Sequence, residues 1–380
     1  MTSRFRPAPH SWLEIDLSAL RANVRNLADR LSPPTRIMGV VKADAYGHGL
    51  IPVARELVRA RVGALGVNSV DEGVQIRRRV SPSIPVVVLL GPRPEEAGAF
   101  LDYSLTPVVY SLPVAQALDR EARARGLTAR VHVKVDSGMG RLGVVWPELP
   151  EFLSALLKLK RLQVTGITSH LARADEPAEI YNRLQWRRYQ KARQAAEALG
   201  LSLSENHLAN SAAAIFRPDA HLHFIRPGIG LYGGSPSGDP ELARQLGLRP
   251  VMSFKTRVLQ VKRLPARTGI SYGSTYITSR PEWVAVLPVG YANGYSRHLS
   301  NQGRALIRGR LFPVVGRVCM SLIVVRLGNG ADCAVGDEAV LLGRQGPMEI
   351  DGDTLARQAG TISYELFCLL GKLNPRIYKK

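Results

Sequence analysis

The chain has 380 residues, 45% of them hydrophobic, which is too apolar for a disordered polymer and too long for one ordinary core, so two domains are expected. Its formal charge of +20 comes from dispersed basic residues, with Arg77 to Arg79 the one tight run and no nucleic-acid-binding motif beside it, so it reads as a solvated, arginine-rich surface with a leaning toward anionic ligands. No stretch is long and apolar enough to span a bilayer, Arg4 and Arg6 are followed by no apolar segment, and the three scattered cysteines (Cys319, Cys333, Cys368) form no CxxC pair, which speaks for a reducing, cytoplasmic setting and against a membrane or nucleic-acid partner, a disulfide framework or a metal.

In chain order, a helix is predicted over Leu17 to Leu31. Short apolar runs then alternate with amphipathic stretches. The strands are expected at Ile37 to Val41, Ala64 to Val67, Val86 to Leu90, Thr106 to Val109, Val131 to Val135, Val164 to Thr168, around Glu205 to His207, and at Leu222 to Ile225. Helical patterns stand between them, most clearly at Pro52 to Ala60, Val114 to Arg125, Phe152 to Leu159 and Asn182 to Leu199. Eight strand-then-helix units predict a (β/α)8 TIM-like barrel, in which function gathers at the C-terminal ends of the strands. After about Pro250 the pattern turns strand-rich: Phe254 to Leu264, Trp283 to Val289, Arg304 to Ile307, Val314 to Val318, Leu322 to Arg326 and Ala339 to Leu342, followed by helices carrying Leu355 to Ala359 and Tyr364 to Leu370. The expected division is a barrel over residues 1–245 and a β-rich domain over 246–380.

On that barrel the unusual residues fall on one face. Lys42 follows the first strand in VVKADAYGHG, where burial can free an amine of its proton and let it form a Schiff base with an aldehyde. Lys134 and Asp136 end the fifth strand, His170 closes the sixth, Asn210 and Ser211 follow the seventh, and Arg226, Pro227 and Gly228 follow the eighth. The last two loops are the common phosphate site of this architecture, here offering the Ser211 hydroxyl and the amides around Gly228 and Ile229. A Schiff-base lysine facing a phosphate cradle is what pyridoxal phosphate requires. Gly138, Gly140 and Gly143 spell G-x-G-x-x-G, but in a fifth βα unit with Arg141 inside the loop, so no nicotinamide or flavin site is inferred. His221 and His223 have no acidic cluster to complete a metal site, and together with His132 and His207 they read as core histidines. Tyr272, between flexible residues in GISYGSTY, can reach outward from the edge of its domain or simply lie on the surface.

Taken together, VVKADAYGHG, KVDSGMGRLG, SHLARAD, ANSAA, RPGIGLYG, SYGSTY, VGYANGY, GRVCM and ISYEL resemble, in order and over both domains, the alanine racemase family. The resemblance implies pyridoxal phosphate on Lys42, with its phosphate at Tyr46, Ser211, Gly228, Ile229 and Tyr364, Asn210 beside it, and Arg226 facing the pyridine nitrogen. A guanidinium cannot accept a proton, so that nitrogen would stay unprotonated. It further implies two bases: Lys42 for the D-enantiomer and, from the second subunit of a homodimer with shared sites, Tyr272 for the L-enantiomer. A phenol with reference pKa about 10 is a poor base near neutrality, and the family's remedy is a hydrogen-bonded chain from tyrosine through His170 to Arg226. Arg141 would hold the cofactor's phenolic oxygen and the substrate carboxylate. Lys134 matches a lysine often carbamylated, and Tyr291 and Met320 match the substrate entrance. Three positions depart from the pattern: Ser321 and Asn293 where aspartate is usual, and Arg173 where a small hydroxyl residue is common. The implied activity is exchange of L- and D-alanine, with a racemase of broader, serine or basic specificity as the nearest rival. A decarboxylase of similar plan would pair the ring nitrogen with a carboxylate, against Arg226.

Overall fold

The computed structural model describes residues 9–176 and 178–380, so Arg4 and Arg6 lie outside it. The chain divides into two compact units. One holds Arg21–Ala45 and Leu50–Leu231; the other holds the residues up to Leu20, Tyr46–Gly49 and Tyr232–Lys380.

In the first unit the parallel strands Arg36–Val40, Ala64–Val67, Val86–Val88, Thr106–Val109, Ala129–Asp136 and Leu162–Thr168 pair in that order, and Phe224–Ile225 pairs back onto Arg36–Val40. The gap between Leu162–Thr168 and Phe224–Ile225 is bridged by His207 alone, parallel to Thr168 on one side and Phe224 on the other. The ring therefore closes as the expected (β/α)8 barrel, with a seventh position one residue wide. Ala64–Val67 and Val86–Val88 are buried at every residue, as continuous apolar runs must be in a parallel sheet covered on both faces. Met38, Ala64, Val87, Val108 and Phe224 form one buried cluster in this unit.

Helices Leu50–Arg59, Val70–Arg79, Leu112–Ala124, Leu149–Leu156 and Ile180–Ala198 lie between the strands. The basic run Arg77 to Arg79 now has a local reason. Ser69 caps Val70–Arg79 at its start, with Asp71 and Glu72 in the first turn and the three arginines in the last, each sign opposite to the helix dipole. Arg77 also donates to the Tyr103 carbonyl at 2.8 Å and the Ser104 carbonyl at 2.9 Å.

The second unit is mostly strands. One sheet runs Gln260–Leu264, Glu282–Leu287, Ile323–Gly328, Arg310–Val315, Arg304–Ile307, Glu338–Gln345, Met252–Arg257, Ser11–Asp16, Arg376–Lys379. The expected run Phe254 to Leu264 is two strands, because Val258 and Leu259 turn the chain from one partner strand to another: the Val258 amide donates to Asp337 and the Leu259 amide to Val286. Ser11–Asp16 and Arg376–Lys379 have no counterpart in the sequence reading; they pair parallel to each other, and the first also pairs antiparallel with Met252–Arg257. Helices Gly352–Gln358 and Ser363–Leu373 close the unit. Among the described residues no helix is long and apolar enough to cross a membrane.

Candidate active site

Strand Arg36–Val40 is buried from Ile37 onward and delivers Lys42 to its C-terminal end. The segment after the strand is no ordinary loop. Ala43, Asp44, Ala45 and Tyr46 all have φ between 53° and 54°, so KADAY makes a turn of left-handed helix without a glycine in it. Each such residue costs about 1–2 kcal/mol, and a run of them is held only where neighbours fix it. The Asp44 carboxylate does part of this by accepting the Leu50 amide at 2.6 Å, which caps helix Leu50–Arg59, and the Ala45 amide donates to Val41 at 2.8 Å. This turn is the clearest strained feature of the chain, and no composition signal marks it.

Around Lys42 the barrel gathers cations. Lys134, in strand Ala129–Asp136, has its amine pushed down to about 7 by burial and by the positive charges of Arg226, Arg141 and Lys42, while Asp136 opposes them. Asp136 is itself engaged, since its Oδ1 accepts the Gly138 amide at 2.8 Å and the Gly140 amide at 3.1 Å. The glycines of the G-x-G-x-x-G stretch thus wrap the strand's own carboxylate. At Gly143, with φ +129°, a Cβ would sit 2.5 Å from the Asp136 nitrogen.

Arg226, just past Phe224–Ile225, is buried, and its charge is fixed by five partners. Nη2 donates to the Ser169 carbonyl at 2.8 Å, the Leu208 carbonyl at 3.1 Å and His170 Nδ1 at 3.2 Å; Nη1 donates to His207 Nδ1 at 2.8 Å and Thr168 Oγ1 at 3.3 Å. Burial pushes the guanidinium down to about 10. His170 is pushed well below the usual imidazole range, first by burial and then by Arg226, Lys134, Arg141 and Lys42. It is neutral, and because arginine can only donate, its Nδ1 is the acceptor and Nε2 carries the hydrogen. Ser211 opens the short helix Ser211–Phe216, and its hydroxyl oxygen accepts the Gly228 amide at 2.9 Å and the Gly230 amide at 3.3 Å. The Asn210 side chain is spent on the Ala213 amide at 3.0 Å, holding that turn in place. Ile229 is fully buried.

The remaining sequence-predicted residues lie in the second unit. Tyr46 packs its ring 5.0 Å from Tyr232 and 6.0 Å from Tyr364, and its phenol is pushed up by burial. Tyr272, Tyr291 and Met320 are large side chains left 73%, 44% and 60% exposed. Three loops carry them, stitched together by backbone. The Ser271 hydroxyl donates to the Arg317 carbonyl at 2.6 Å, the Tyr291 amide to Cys319 at 3.1 Å, and the Ala292 amide to Met320 at 3.0 Å. Gly290 permits that closeness: a Cβ there would lie 2.1 Å from the Cys319 carbonyl and 2.4 Å from that of Met320.

Two of the departures acquire roles. Asn293 Oδ1 accepts the Gly290 amide at 3.1 Å and its Nδ2 donates to Ser11 Oγ at 3.2 Å, a pairing that uses both ends of an amide. Arg173 pairs with Glu176 at 2.7 Å and Glu179 at 3.2 Å within its own segment. Nothing in the structure explains Ser321, which is exposed. His221 Nε2 meets the Ala214 carbonyl at 2.9 Å and His223 Nδ1 accepts the Asn206 amide at 3.1 Å, so both bond backbone; among the described residues no group of three potential metal ligands forms. Thr168, the Ser169 and Leu208 carbonyls and His207 all grip Arg226 without being among the residues the sequence marks for the site. The carbonyls carry no sequence signal, and His207 reads only as a bonded core histidine.

Residues 15–236 match the family model described as alanine racemase, N-terminal domain, and residues 251–378 that of the C-terminal domain. The chain is 45% identical over 363 residues to an alanine racemase of Syntrophobacter fumaroxidans, covering 96% of each. Its fold is similar, at a TM-score of 0.91 and 36% identity, to an alanine racemase from D-cycloserine-producing Streptomyces lavendulae, covering 99% of this chain and 98% of that one. It is also similar, at a TM-score of 0.87 and 27% identity over 98% of this chain and 100% of that one, to an alanine racemase of Bartonella henselae with covalently bound pyridoxal phosphate.

Proposed function

The chain belongs to the alanine racemase family, and on that premise we propose that it interconverts L-alanine and D-alanine with pyridoxal phosphate. Arg226 carries the proposal: none of its five hydrogen-bond partners is a carboxylate, and by the family pattern this guanidinium, a hydrogen-bond donor that takes up no proton, would face the ring nitrogen where a decarboxylase of this plan would need an acid.

The residues present fit this cofactor. Arg226, Arg141 and Lys42 all press on Lys134 with Asp136 opposing them, a cluster of cations to which a phosphorylated phenolic ligand would bring negative charge. Ser211, with the Gly228 and Ile229 turn, would hold the phosphate, and the family pattern would assign Tyr46 and Tyr364 to it as well; Asn210 would hold the Ser211 turn. When bound, the cofactor supplies an aldehyde for the substrate amine and a ring that draws electrons from the α-carbon.

The chain's own groups then move the proton. The Lys42 amine would tether the cofactor and serve the D-face of the α-carbon. Tyr272 of the partner subunit would serve the L-face, which makes the active form a homodimer. His170, neutral with its hydrogen on Nε2, would donate to that tyrosine oxygen while Arg226 Nη2 steadies Nδ1, favouring the phenolate. Arg141 would bind the substrate carboxylate, with Tyr291 and Met320 of the partner subunit at the entrance. An amine held near 7 is available to carbon dioxide, so Lys134 would form a carbamate, releasing one proton and gaining an anion to pair with Arg141. The role in the cell would be supply of D-alanine for peptidoglycan from the cytoplasm.

Chiral analysis of L-alanine, L-serine and L-lysine after incubation with the protein and pyridoxal phosphate tests this. Rapid D-alanine with little of the others is expected. A faster D-serine or D-lysine product, or none at all with cofactor bound, would overturn it.

A further inference from the structure

Behind Arg226, away from the groups assigned to the reaction, a line of buried side chains leads out of the barrel core. His207 Nδ1 lies 2.8 Å from Arg226 Nη1 and 2.9 Å from Thr168 Oγ1, while its Nε2 lies 2.9 Å from His132 Nδ1. His132 Nε2 lies 3.0 Å from Glu205 Oε2. Glu205 is gripped from outside by the Thr165 hydroxyl at 2.8 Å and by Arg130 at 2.9 Å. His132 and His207 are both fully buried.

The chemistry at the two ends fixes every proton between them. Arg226 has donors only, so His207 Nδ1 must be a lone pair and the hydrogen of that ring must sit on Nε2. That hydrogen points at His132 Nδ1, which must therefore accept, leaving the His132 hydrogen on Nε2, where the Glu205 carboxylate receives it. Reversing either tautomer would set N–H against N–H in a dry core. All the bonds thus run one way, from guanidinium to carboxylate, and each polarises the next in the same sense. Glu205 keeps its charge against burial through the hydrogen bonds from His132 and Thr165 and the nearby Arg130.

The backbone is arranged to serve this line. Residues 204–207 stand where the barrel's seventh strand belongs, yet they are not a regular strand. The Ser204 and Glu205 amides both donate to the Thr165 carbonyl, at 3.0 and 2.9 Å, and Asn206 Oδ1 accepts the Ile167 amide at 2.8 Å. Gly166 allows the approach, since a Cβ there would be 2.4 Å from the Glu205 carbonyl oxygen. A run too irregular to pair as a strand places Glu205 and His207 on two links of one chain.

We propose that Glu205 is a positioning residue for the reaction, acting through His132 and His207 to fix the orientation and donor pattern of Arg226. A carboxylate at the far end makes His207 Nδ1 a better acceptor, which holds Nη1 and so aims Nη2 at His170. The inference rests on the role given to Arg226 above.

Nitrogen-15 spectra of histidine- and arginine-labelled holoenzyme, wild type and Glu205→Gln, provide the test, with thermal melts to confirm folding. Both wild-type rings should carry hydrogen on Nε2 and none on Nδ1. In Glu205→Gln the His207 Nδ1 and Arg226 Nη1 signals should move, and kcat should fall about tenfold with KM for alanine nearly unchanged. Glu205→Asp, which keeps a carboxylate, should recover part of the loss. Thr165→Val, which removes one donor to Glu205 but keeps its carboxylate and the His132 and Arg130 contacts, should lower kcat far less than Glu205→Gln does. A wild-type ring protonated on Nδ1 overturns the proposal, as does a Glu205→Gln enzyme with unmoved His207 signals or unchanged kcat. A Thr165→Val loss as large as that of Glu205→Gln would mark the effect as packing and also overturn it. If Glu205→Gln does not fold, the wild-type tautomers and Glu205→Asp decide by the same readings. The spectra read the proton order whatever the substrate, so a protein with that order but no alanine racemisation would defeat the proposed function instead.

Discussion

The two units present their proposed chemistry in opposite ways. In the barrel unit the charged groups are buried and cross-linked: Arg226 alone has five hydrogen-bond partners, and His170 is locked into one tautomer. In the second unit Tyr272, Tyr291 and Met320 stand on loops that are firmly tied by backbone, yet their side chains face solvent. Rigid loops ending in exposed large side chains are what a surface that docks against something requires, because the geometry is prepared and the apolar area is not yet covered. One unit carries a cluster of buried cations; the other carries large side chains in the open.

The sharpest way to break this contrast is to disable each side separately. Lys42→Ala should abolish racemisation and the cofactor's Schiff-base absorbance together. Tyr272→Phe should lower kcat/KM by about 10²–10⁴-fold, equally in both directions, since the overall equilibrium is fixed. Its signature lies in single-turnover deuterium exchange, where α-proton abstraction from L-alanine should suffer far more than from D-alanine. Mixing the two inactive proteins should restore activity as subunits exchange. No recovery despite proven exchange would show that Lys42 and Tyr272 do not meet across subunits.

Next in size is Gly290→Ala. Its Cβ would meet two backbone carbonyls rather than a flexible side-chain end, so the Tyr291 and Met320 loops must separate. A stability loss of about 2–4 kcal/mol is expected by urea unfolding, with KM for alanine raised more than kcat is lowered. A stable variant with ordinary KM would mean that the stitching of these loops is not what places Tyr291 and Met320.

The barrel unit yields a pH prediction. The Lys134 amine is lowered to about 7 in the folded chain, against about 10.5 when unfolded. Between those values the unfolded state binds the extra proton, so the stability contributed by this group rises with pH from 7 to 10.5. Lys134→Met should therefore raise Tm of the cofactor-free protein by a few degrees at pH 6, and the gain should shrink toward pH 10. A gain independent of pH would mean the residue is not a buried charge. In bicarbonate at pH 8 the wild type, and not the variant, should gain the mass of one carbon dioxide.

How much of this the chain declares beforehand differs between the units for a physical reason. The barrel strands are legible because a parallel sheet buried on both faces needs unbroken apolar runs such as VVV at Val86–Val88, and Lys42, Asp136, His170 and Arg226 stand directly at their ends. Ser11–Asp16 is not, because Ser11, Trp12 and Leu13 are all buried and break the alternation that marks a half-buried strand, and its partners lie more than two hundred positions away. The left-handed turn at Ala43 to Tyr46 is silent for another reason: the residues that hold it, such as Leu50 through Asp44, do so by geometry that no spacing rule describes. His132 and His207 read correctly as bonded core residues, but a bonded core histidine and a link to Arg226 look alike until distances are known.

The smallest effect, and the finest test of the contrast, is at Asn293. The family's usual aspartate there would add an anion near the loop that carries Tyr291, while asparagine uses both ends of its amide, accepting from Gly290 and donating to Ser11. Ser11 already donates its hydroxyl hydrogen to Asn374 Oδ1 at 2.7 Å, and Asn374 Nδ2 donates to the Asn293 carbonyl at 2.8 Å. In Asn293→Asp the carboxylate can still accept from Gly290, but Ser11 must turn its hydrogen toward it and leave Asn374 Oδ1 without a donor. Two hydrogen bonds at Ser11 thereby become one and a buried acceptor is left open, so a cost of about 1–2 kcal/mol in urea unfolding is expected. If the anion acts at a distance on substrate entry, KM for alanine should rise with falling ionic strength in the variant and not in the wild type. A KM that stays the same at all salt concentrations would show that the substitution is purely a matter of this local lattice, and that the exposed loops owe their function to shape rather than charge.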